Sequence, residues 1–382
     1  MRRTLFETDH ELFRGAVREF VEREVAPNVD RWEADGIVDK AMFHKAGRAG
    51  LLGMAVPEEH GGGGVGDFRF NVVIGEELMR AGAFASGVCI TLHNDVVLPY
   101  FLELATDEQK ARWLPGLASG ELMSAIAMTE PGAGSDLAGI AASAIRDGGA
   151  YVVNGSKTFI TNGINSDLIV TAVKTEPAAR HAGMSLVVIE EGMEGFTRGR
   201  NLEKIGLHAQ DTAELFFDDV RVPAENLLGE EGRGFAHLMG NLPQERLSLA
   251  AGSIAHAQTA FNWALEYVKE RSAFGRPIGG FQTIRHAMAE MRTELDIAQT
   301  YVDSRVTALN AGELTAEEAA KAKWWVTELE NKVIGRCLQM FGGWGYMEEY
   351  PIARAFRDAR VQTIYGGTNE VMKEIIGRSL GL

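Results

Sequence analysis

The stretch from Met123 to Asp136, MSAIAMTEPGAGSD, joins two parts of the chain that differ in their hydrophobic pattern. Apolar residues at helical spacing end before it, and strand-like patterns begin after it. Pro131 fixes its own φ angle, and Gly132 and Gly134 let another group approach the backbone closely. The stretch is therefore predicted to form a rigid turn whose N–H groups and hydroxyls suit a flat, anionic ligand.

The residues before this stretch predict an N-terminal domain made of helices, over residues 1–122. Apolar side chains recur at helical spacing in its first segment. Further along, Thr106 and Gln109 form the pattern of a capping box, in which each side chain bonds the backbone N–H of the other residue. A helix is expected to begin there.

The residues after the stretch predict a middle domain, over residues 123–228, built as a small antiparallel, barrel-like sheet. Runs such as LIVTAV (168–173) are rich in β-branched residues, as buried strands are. Two Asn-Gly pairs, at 154–155 and 162–163, signal tight turns around a β-rich run.

Residues 229–382 are helical again and predict a C-terminal four-helix bundle, which makes the whole chain an α+β protein of three domains. A long helix is expected near the start, interrupted at Pro243 and continuing toward Glu270. A second helix spans about residues 281–309, and a third begins at a capping box of Thr315 and Glu318.

The composition excludes some classes of protein and partner. The chain has 382 residues and a net charge of −15, which argues against nucleic-acid binding because that requires a basic face. Cys89 and Cys337 form neither a disulfide framework nor a metal pattern, so core packing is expected for both. No apolar run approaches the roughly 18 residues of a membrane span, and the first 13 residues lack a secretory apolar core. A cytoplasmic protein without a membrane span is expected.

Two short motifs are chance matches. The run HGGGGVG (60–66) satisfies G-x-G-x-x-G, but a dinucleotide site needs the motif to follow a strand directly, and helical sequence flanks this run. A flexible surface loop is expected instead. Glu7 and His10 form a lone E-x-x-H, whereas di-iron bundles need two such motifs and two further carboxylates. No metal site is predicted.

Five motifs, in order along the chain, resemble those of the acyl-CoA dehydrogenase family. They are TEPGAGSD (129–136), GSKTFITNG (155–163), ERSAFGRPI (270–278), QMFGGWGY (339–346) and IYGGTNE (364–370). The resemblance covers essentially the whole chain. It implies bound FAD, an acyl-CoA substrate that is dehydrogenated to the trans-2-enoyl-CoA, an electron-transfer flavoprotein as acceptor, and a homo-oligomer, usually a tetramer.

The resemblance also assigns flavin contacts to residues of these motifs. The isoalloxazine side is assigned to Ile126, Met128, Thr129, Ser135, Phe159, Ile160 and Thr161. The adenosine diphosphate portion is assigned to Arg271, Phe274, Gln282, Gln339, Gly342, Gly343, Thr368 and Glu370. In the family, part of the second set comes from a neighbouring subunit.

One position departs from the pattern of many family members. Those members place a catalytic Glu in Y-E-G-T, whereas this chain has Gly366 there, and glycine cannot accept a proton. The long-chain and isovaleryl branches supply the base from the long helix that opens the C-terminal domain, where this chain reads LPQERL (242–247). Glu245 is therefore the expected catalytic base, with its pKa raised by burial.

Three residues are expected to contact the substrate. The backbone N–H near Gly366 suits the thioester oxygen, which needs a preorganised donor as negative charge develops on it. Ser135 is assigned to the substrate as well as to the cofactor. Arg246 is open to two interpretations: it anchors the thioester-side loop or the pantetheine arm, or it holds the helix in place.

Three functions remain open from the sequence. The first is a dehydrogenase of fatty acid β-oxidation that acts on a medium-to-long straight chain, with branched or specialised acyl groups also possible. The second is an acyl-CoA oxidase that is reoxidised by oxygen, although such enzymes commonly have a longer C-terminal region. The third is a non-catalytic flavin-binding scaffold.

Overall fold

The computed structural model describes residues 3–179 and 181–382, and its first part is helical. The helices are α1 (Thr8–Phe20), α2 (Val29–Asp35), α3 (Lys40–Arg48), α4 (Arg69–Arg80), α5 (Phe84–Thr91), α6 (Leu98–Leu104) and α7 (Asp107–Ser119). A π-helical turn, Leu92–Val97, joins α5 directly to α6. The capping box of Thr106 and Gln109 is confirmed at the start of α7.

The two short N-terminal motifs have local structural roles. Residues 61–66 lie in a mostly exposed loop between a 3-10 turn and α4, which confirms the surface loop. Glu7 and His10 form a capping box at the start of α1, and the other ring nitrogen of His10 lies 3.1 Å from an Asp67 carboxylate oxygen.

The middle of the chain is a sheet. Its strands are β1 (Ser124–Ala127), β2 (Ser143–Asp147), β3 (Ala150–Thr161), β4 (Leu168–Lys174), β5 (Met184–Glu190), β6 (Phe196–Asn201), β7 (Thr212–Pro223) and β8 (Leu227–Leu228). Within the described residues the order is β6-β7-β3-β2-β4-β5-β8, and β1 pairs with β4. Since β1 and β2 both run parallel to β4, the sheet is mixed, and the expectation of a purely antiparallel sheet is corrected.

Only one of the two Asn-Gly pairs makes a turn. Gly163 follows the end of β3, and its N–H donates to the Ile160 carbonyl, as a tight turn requires. Gly155 instead lies inside β3, at a bulge opposite β7. Its φ is +138°, and a Cβ there would lie 2.7 Å from the Cα of Ala142, so the glycine serves a close backbone approach rather than a turn.

The C-terminal part is a helical bundle. Its elements are α8 (Gly234–Glu270), a small hairpin of β9 (Ser272–Ala273) and β10 (Arg276–Pro277), α9 (Gln282–Asn310), α10 (Ala316–Phe341), α11 (Pro351–Ala359) and α12 (Asn369–Ser379). The capping box of Thr315 and Glu318 is confirmed at the start of α10. The three long helices pack together, and α12 packs on α10 as the fourth member.

Helix α8 is continuous, so the expected interruption at Pro243 is wrong. The proline removes one helical N–H, but buried Leu238, Leu242 and Leu247 hold the helix against its neighbours on both sides of that point. Packing therefore outweighs the local preference. Both cysteines are buried and form no disulfide, which confirms core packing. No helix among the described residues is long and apolar enough to span a bilayer.

Candidate active site

A cavity lies where the three parts of the chain meet. Helix α4, helix α5 and the π-helical turn form one wall, with Phe68, Asn71, Val72, Gly75, Met79, Phe84, Val88, Thr91, Leu92, Asp95 and Val96. The sheet contributes Ile126, Met128, Thr129, Phe159, Ile160 and Thr161. The C-terminal part contributes Glu245, Ser248, Leu249, Ala251, Gly252, Gln362, Tyr365 and Gly366. Seven of the residues singled out in the sequence as flavin contacts or base, and Gly366, thus share one cavity.

Glu245 reaches the cavity from α8. Residues 245, 248, 249 and 252 follow the spacing i, i+3, i+4 and i+7, which places them on one face of the helix. The Glu245 side chain is 5% exposed, and the hydroxyl of fully buried Tyr100, on α6, donates to its Oε1 at 2.8 Å. Burial raises the pKa of Glu245 to about 7, against the smaller opposing effects of Tyr100 and Arg246. A carboxylate with such a pKa suits general-base chemistry near neutral pH.

Two buried cations hold the turn that carries Gly366. Arg246 Nε donates to the Gly366 carbonyl at 3.4 Å, and Lys323 Nζ donates to the Gly367 carbonyl at 2.7 Å. Burial, together with the charge of Arg246, lowers the pKa of Lys323 to about 8. Gly366 has a φ of +64°, and a Cβ there would lie 2.4 Å from Leu249 Cδ1. Both the backbone and the packing at this position therefore favour glycine.

The central turn at residues 129–136 rests on a buried ion pair. Lys157 Nζ donates to the Met128 carbonyl at 3.0 Å and to Glu130 Oε1 at 2.7 Å. The Glu130 carboxylate also accepts the backbone N–H groups of Ala141 and Ala142. Burial lowers the pKa of Lys157 to about 8, against the opposing charge of Glu130. This network fixes the backbone beside Thr129, where the cavity begins.

Phe159 occupies an unusual conformation in the cavity wall. It lies at a bulge of β3 with a φ of +59°, a left-handed conformation that is rare for an aromatic residue. The residue is 67% exposed, and it lines the cavity together with its neighbours Ile160 and Thr161. An exposed aromatic face held in a strained backbone is typical of a contact with a flat ligand.

The other predicted cofactor residues do not line this cavity. Ser135 is exposed on the central turn, outside the cavity wall. One group lies at the end of the bundle where α8 and α10 finish and α9 begins: Arg271, Phe274, Gln282, Gln339, Gly342 and Gly343. A separate pair, Thr368 and Glu370, lies at the start of α12, where Thr368 caps the helix. Most of this set is exposed in the single chain, and Phe274 is 95% exposed.

Several side chains that shape the site were missed by sequence reasoning. Tyr100 and Asp95 lie in an apolar helical segment with no motif of their own, and only the fold brings them to α8. Lys323 lies in the middle of α10 and resembles a solvated helix residue in the sequence, although it is fully buried. Glu130 and Lys157 each lie in one of the quoted motifs, but the ion pair between them was not predicted.

Comparison with known proteins identifies the family. The chain matches the family models of the N-terminal, middle and C-terminal domains of acyl-CoA dehydrogenase over residues 7–121, 125–220 and 232–381. The mitochondrial long-chain specific acyl-CoA dehydrogenase of Sus scrofa is 47% identical over 380 residues, which are 99% of this chain and 88% of that protein. This chain therefore belongs to the acyl-CoA dehydrogenase family.

Solved structures agree with this assignment. A crystal structure of acyl-CoA dehydrogenase from Geobacillus kaustophilus superposes with a TM-score of 0.98 at 51% identity and covers 100% of both chains. A crystal structure of acyl-CoA dehydrogenase complexed with FAD from Bacillus anthracis has a TM-score of 0.91 at 29% identity, over 98% of this chain and 68% of that chain.

Proposed function

We propose that this protein catalyses the FAD-dependent α,β-dehydrogenation of an acyl-CoA thioester to the trans-2-enoyl-CoA. The observation that carries the proposal is the position of Glu245, a buried carboxylate in the same cavity as Phe159, Thr129 and Thr161. The cofactor of the family is FAD, which when bound accepts the hydride from the β-carbon.

Glu245 is assigned as the general base. The α-proton of a thioester is weakly acidic, so its removal needs a carboxylate that is held in place and poorly solvated. Burial supplies the poor solvation, and the hydrogen bond from Tyr100 holds the carboxylate. The backbone N–H near Gly366 is assigned to the thioester oxygen, where it would stabilise the charge that develops as the proton leaves.

The residues of the cavity wall fit a flavin ring. Phe159 offers an exposed aromatic face, while Thr129 and Thr161 offer hydroxyls, and Ile126, Met128 and Ile160 complete the wall. Ser135, on the central turn, is assigned to both the cofactor and the substrate. Arg246 contacts the Gly366 carbonyl, which supports its assignment as the residue that anchors the thioester-side turn.

Part of the remaining cofactor set is assigned to a second copy of the chain. Phe274, Gly342 and Gly343 are exposed and lie away from the cavity wall, as expected for residues that complete a site on a neighbouring subunit. A homo-oligomer, at least a dimer and typically a tetramer, is therefore part of the proposal. Light scattering of the purified protein measures this directly, and a monomer that binds FAD stoichiometrically would contradict it.

The substrate is proposed to be an acyl-CoA of medium to long chain length. Beyond Glu245 the cavity continues along α8 past Leu249 to Gly252, beside Met79 and Phe84. Gly75, Gly252 and the flexible side chain of Met79 at this end leave room for an extended hydrocarbon chain. A role in fatty acid β-oxidation, an electron-transfer flavoprotein as acceptor and a cytoplasmic location complete the proposal. The domain limits at residues 122 and 228 stay predictions.

The test is an anaerobic titration of the FAD-loaded protein with acyl-CoAs of graded length, followed by flavin absorbance. Wild type is compared with Glu245→Gln and with Glu266→Gln, an exposed residue of the same helix. Bleaching in wild type and Glu266→Gln, but not in Glu245→Gln, is the expected result. Bleaching in all three would reject Glu245 as the base, and bleaching in none would favour the scaffold.

The oxidative half-reaction distinguishes an acyl-CoA oxidase from the proposed dehydrogenase. Reduced wild-type protein is mixed with oxygen or with an electron-transfer flavoprotein, and peroxide release and reoxidation rates are measured. Rapid reoxidation by oxygen, with stoichiometric peroxide, would replace the proposed dehydrogenase with an oxidase.

A further inference from the structure

A group of three polar side chains interrupts the apolar wall of the cavity. Asp95 Oδ1 accepts from Asn71 Nδ2 at 2.7 Å, and Asp95 Oδ2 accepts from Ser248 Oγ at 2.6 Å. The three residues come from three different elements, α4, the π-helical turn and α8, and all three line the cavity. We call them the Asp95 trio.

The trio lies beyond the catalytic base along the same helix. Ser248 follows Glu245 by three residues on the cavity face of α8, a rise of about 4.5 Å along the axis. Gly252 lies one further turn along, where a Cβ would be 3.9 Å from Met79 Cε. An acyl chain that starts at Glu245 and extends toward Met79 would thus pass the trio a few carbons beyond its α-carbon.

The chemistry of the trio does not suit a bare hydrocarbon. Asp95 is 4% exposed, and the contacts described for its carboxylate are with two neutral donors, Asn71 and Ser248. Each carboxylate oxygen keeps a lone pair, and the Ser248 hydroxyl can still accept a hydrogen bond. A methylene chain packed against these atoms would leave the remaining acceptor positions unfilled, whereas a hydroxyl group can donate to them.

The backbone of the turn that carries Asp95 is also held by hydrogen bonds that do not involve the Asp95 carboxylate. Gln244 Nε2 donates to the Asp95 backbone carbonyl at 2.9 Å and ties the turn to α8. The neighbouring Asn94 donates to the Leu51 carbonyl and accepts from the Gly53 N–H, which ties the turn to the rest of the helical part. These contacts hold the backbone without the carboxylate.

We propose that Asp95, Asn71 and Ser248 form a subsite for a hydroxyl group on the acyl chain, so that hydroxylated acyl-CoAs are among the substrates. The proposal rests on the proposed function, because the place of the chain is set from Glu245. The trio would bind the hydroxyl through the Asp95 carboxylate as acceptor and through Ser248 or Asn71 as a second partner. An acyl chain that carries a carboxylate at this point would be repelled by the Asp95 carboxylate.

The test measures binding without turnover, so that it stands apart from the test of catalysis. FAD-loaded Glu245→Gln protein is titrated by calorimetry with decanoyl-CoA and with its 5-, 6- and 7-hydroxy derivatives. The same titrations are made with Asp95→Leu, Asp95→Asn, Ser248→Ala and Gln244→Met added to that background. The quantity compared is the ratio of the Kd of decanoyl-CoA to the Kd of each hydroxy derivative.

At least one hydroxy derivative is expected to bind more tightly than decanoyl-CoA. In Asp95→Leu this preference should fall by about 10- to 100-fold, as expected for a lost hydrogen bond to a charged group. Asp95→Asn and Ser248→Ala should lower it less, and Gln244→Met should leave it unchanged. Asp95→Asn keeps the shape of the side chain, so it gives an answer even where Asp95→Leu does not fold.

Two results would overturn the proposal. One is that every hydroxy derivative binds the parent protein more weakly than decanoyl-CoA. The other is that a preference for a hydroxyl is found but is the same in Asp95→Asn, Ser248→Ala and the parent protein. Failure of the flavin-bleaching test with these ratios intact would instead overturn the proposed reaction and leave the subsite standing.

Discussion

Removing the Tyr100 hydroxyl is expected to shift the pH dependence of the reaction to higher pH. This hydroxyl donates to Glu245 Oε1 at 2.8 Å, and both side chains are buried. The hydrogen bond favours the ionised carboxylate and lowers the pKa of Glu245, against the larger opposing effect of burial. In Tyr100→Phe the burial remains and the donor is lost, so the pKa of Glu245 must rise above its present value of about 7.

The size of this shift follows from the strength of the bond. A hydrogen bond to a charged group contributes about 1.5–3 kcal/mol, and one pKa unit corresponds to about 1.4 kcal/mol. The pKa of Glu245 should therefore rise by about one to two units. At pH 7 the ionised fraction falls from about one half to between about one-tenth and one-hundredth. The rate of flavin reduction at pH 7 should fall by about 5- to 50-fold.

The assay is stopped-flow reduction of the FAD-loaded protein between pH 6 and pH 9.5, with kcat/KM measured in parallel. Tyr100→Phe should lose activity at neutral pH and recover at least about half of it near pH 9. Tyr151→Phe is the matched control, since that hydroxyl also donates to a glutamate, Glu231, but in the sheet. The assignment of Tyr100 as the residue that lowers the pKa of Glu245 would be refuted by either of two results. One is a pH profile whose acid side does not move, and the other is a loss of rate of equal size at every pH.

Three further outcomes are expected from variants of the site. Burial raises the pKa of Glu245 from 4.5 to about 7, so its ionisation destabilises the folded protein. This destabilisation is absent below pH 4.5 and reaches about 3 kcal/mol above pH 7. Thermal unfolding should thus show Glu245→Gln gaining stability over wild type from pH 5 to pH 8, and a constant difference would contradict the burial. Lys157→Met should lower the free energy of unfolding by about 3–5 kcal/mol by leaving Glu130 buried without its cation. Urea unfolding measures this, and Lys157→Met with Glu130→Gln should recover part of the loss. Gly366→Glu should fail to rescue flavin reduction in Glu245→Gly, because the new side chain meets Leu249 and a left-handed backbone. Adding Leu249→Ala removes only the first obstacle and should not restore full activity, and full rescue by Gly366→Glu alone would contradict the packing.

The sequence predicted the parts of this protein that depend on local signals. The helical, β and helical order and the capping boxes at Thr106 and Thr315 all agree with the structure. Each depends on a motif or a periodicity that neighbouring residues set by themselves. The roles assigned to the site residues stay predictions until the variants are measured.

The features that escaped prediction depend on contacts between distant segments. Gly155 was expected in a turn, but it lies at a bulge of β3 opposite β7, with the backbone of Ala142 packed closely against it. Pro243 was expected to interrupt a helix, but packing on both sides keeps α8 continuous. Tyr100 reaches Glu245 across 145 residues of sequence, and no local pattern distinguishes it from an ordinary core tyrosine.

The π-helical turn at Leu92–Val97 sets the positions of two residues near the cavity, Asp95 and Tyr100. A π-helical turn holds one residue more than an α-helical turn, so it offsets every later residue of the helix by about 100° around the axis. Asp95 lies within this turn, and Tyr100 lies just beyond it on α6. Deleting one residue from the turn would restore a regular helix and swing Tyr100 away from Glu245 while also moving Asp95. The positions of Asp95 and Tyr100 relative to α8 therefore both depend on the one extra residue of this turn.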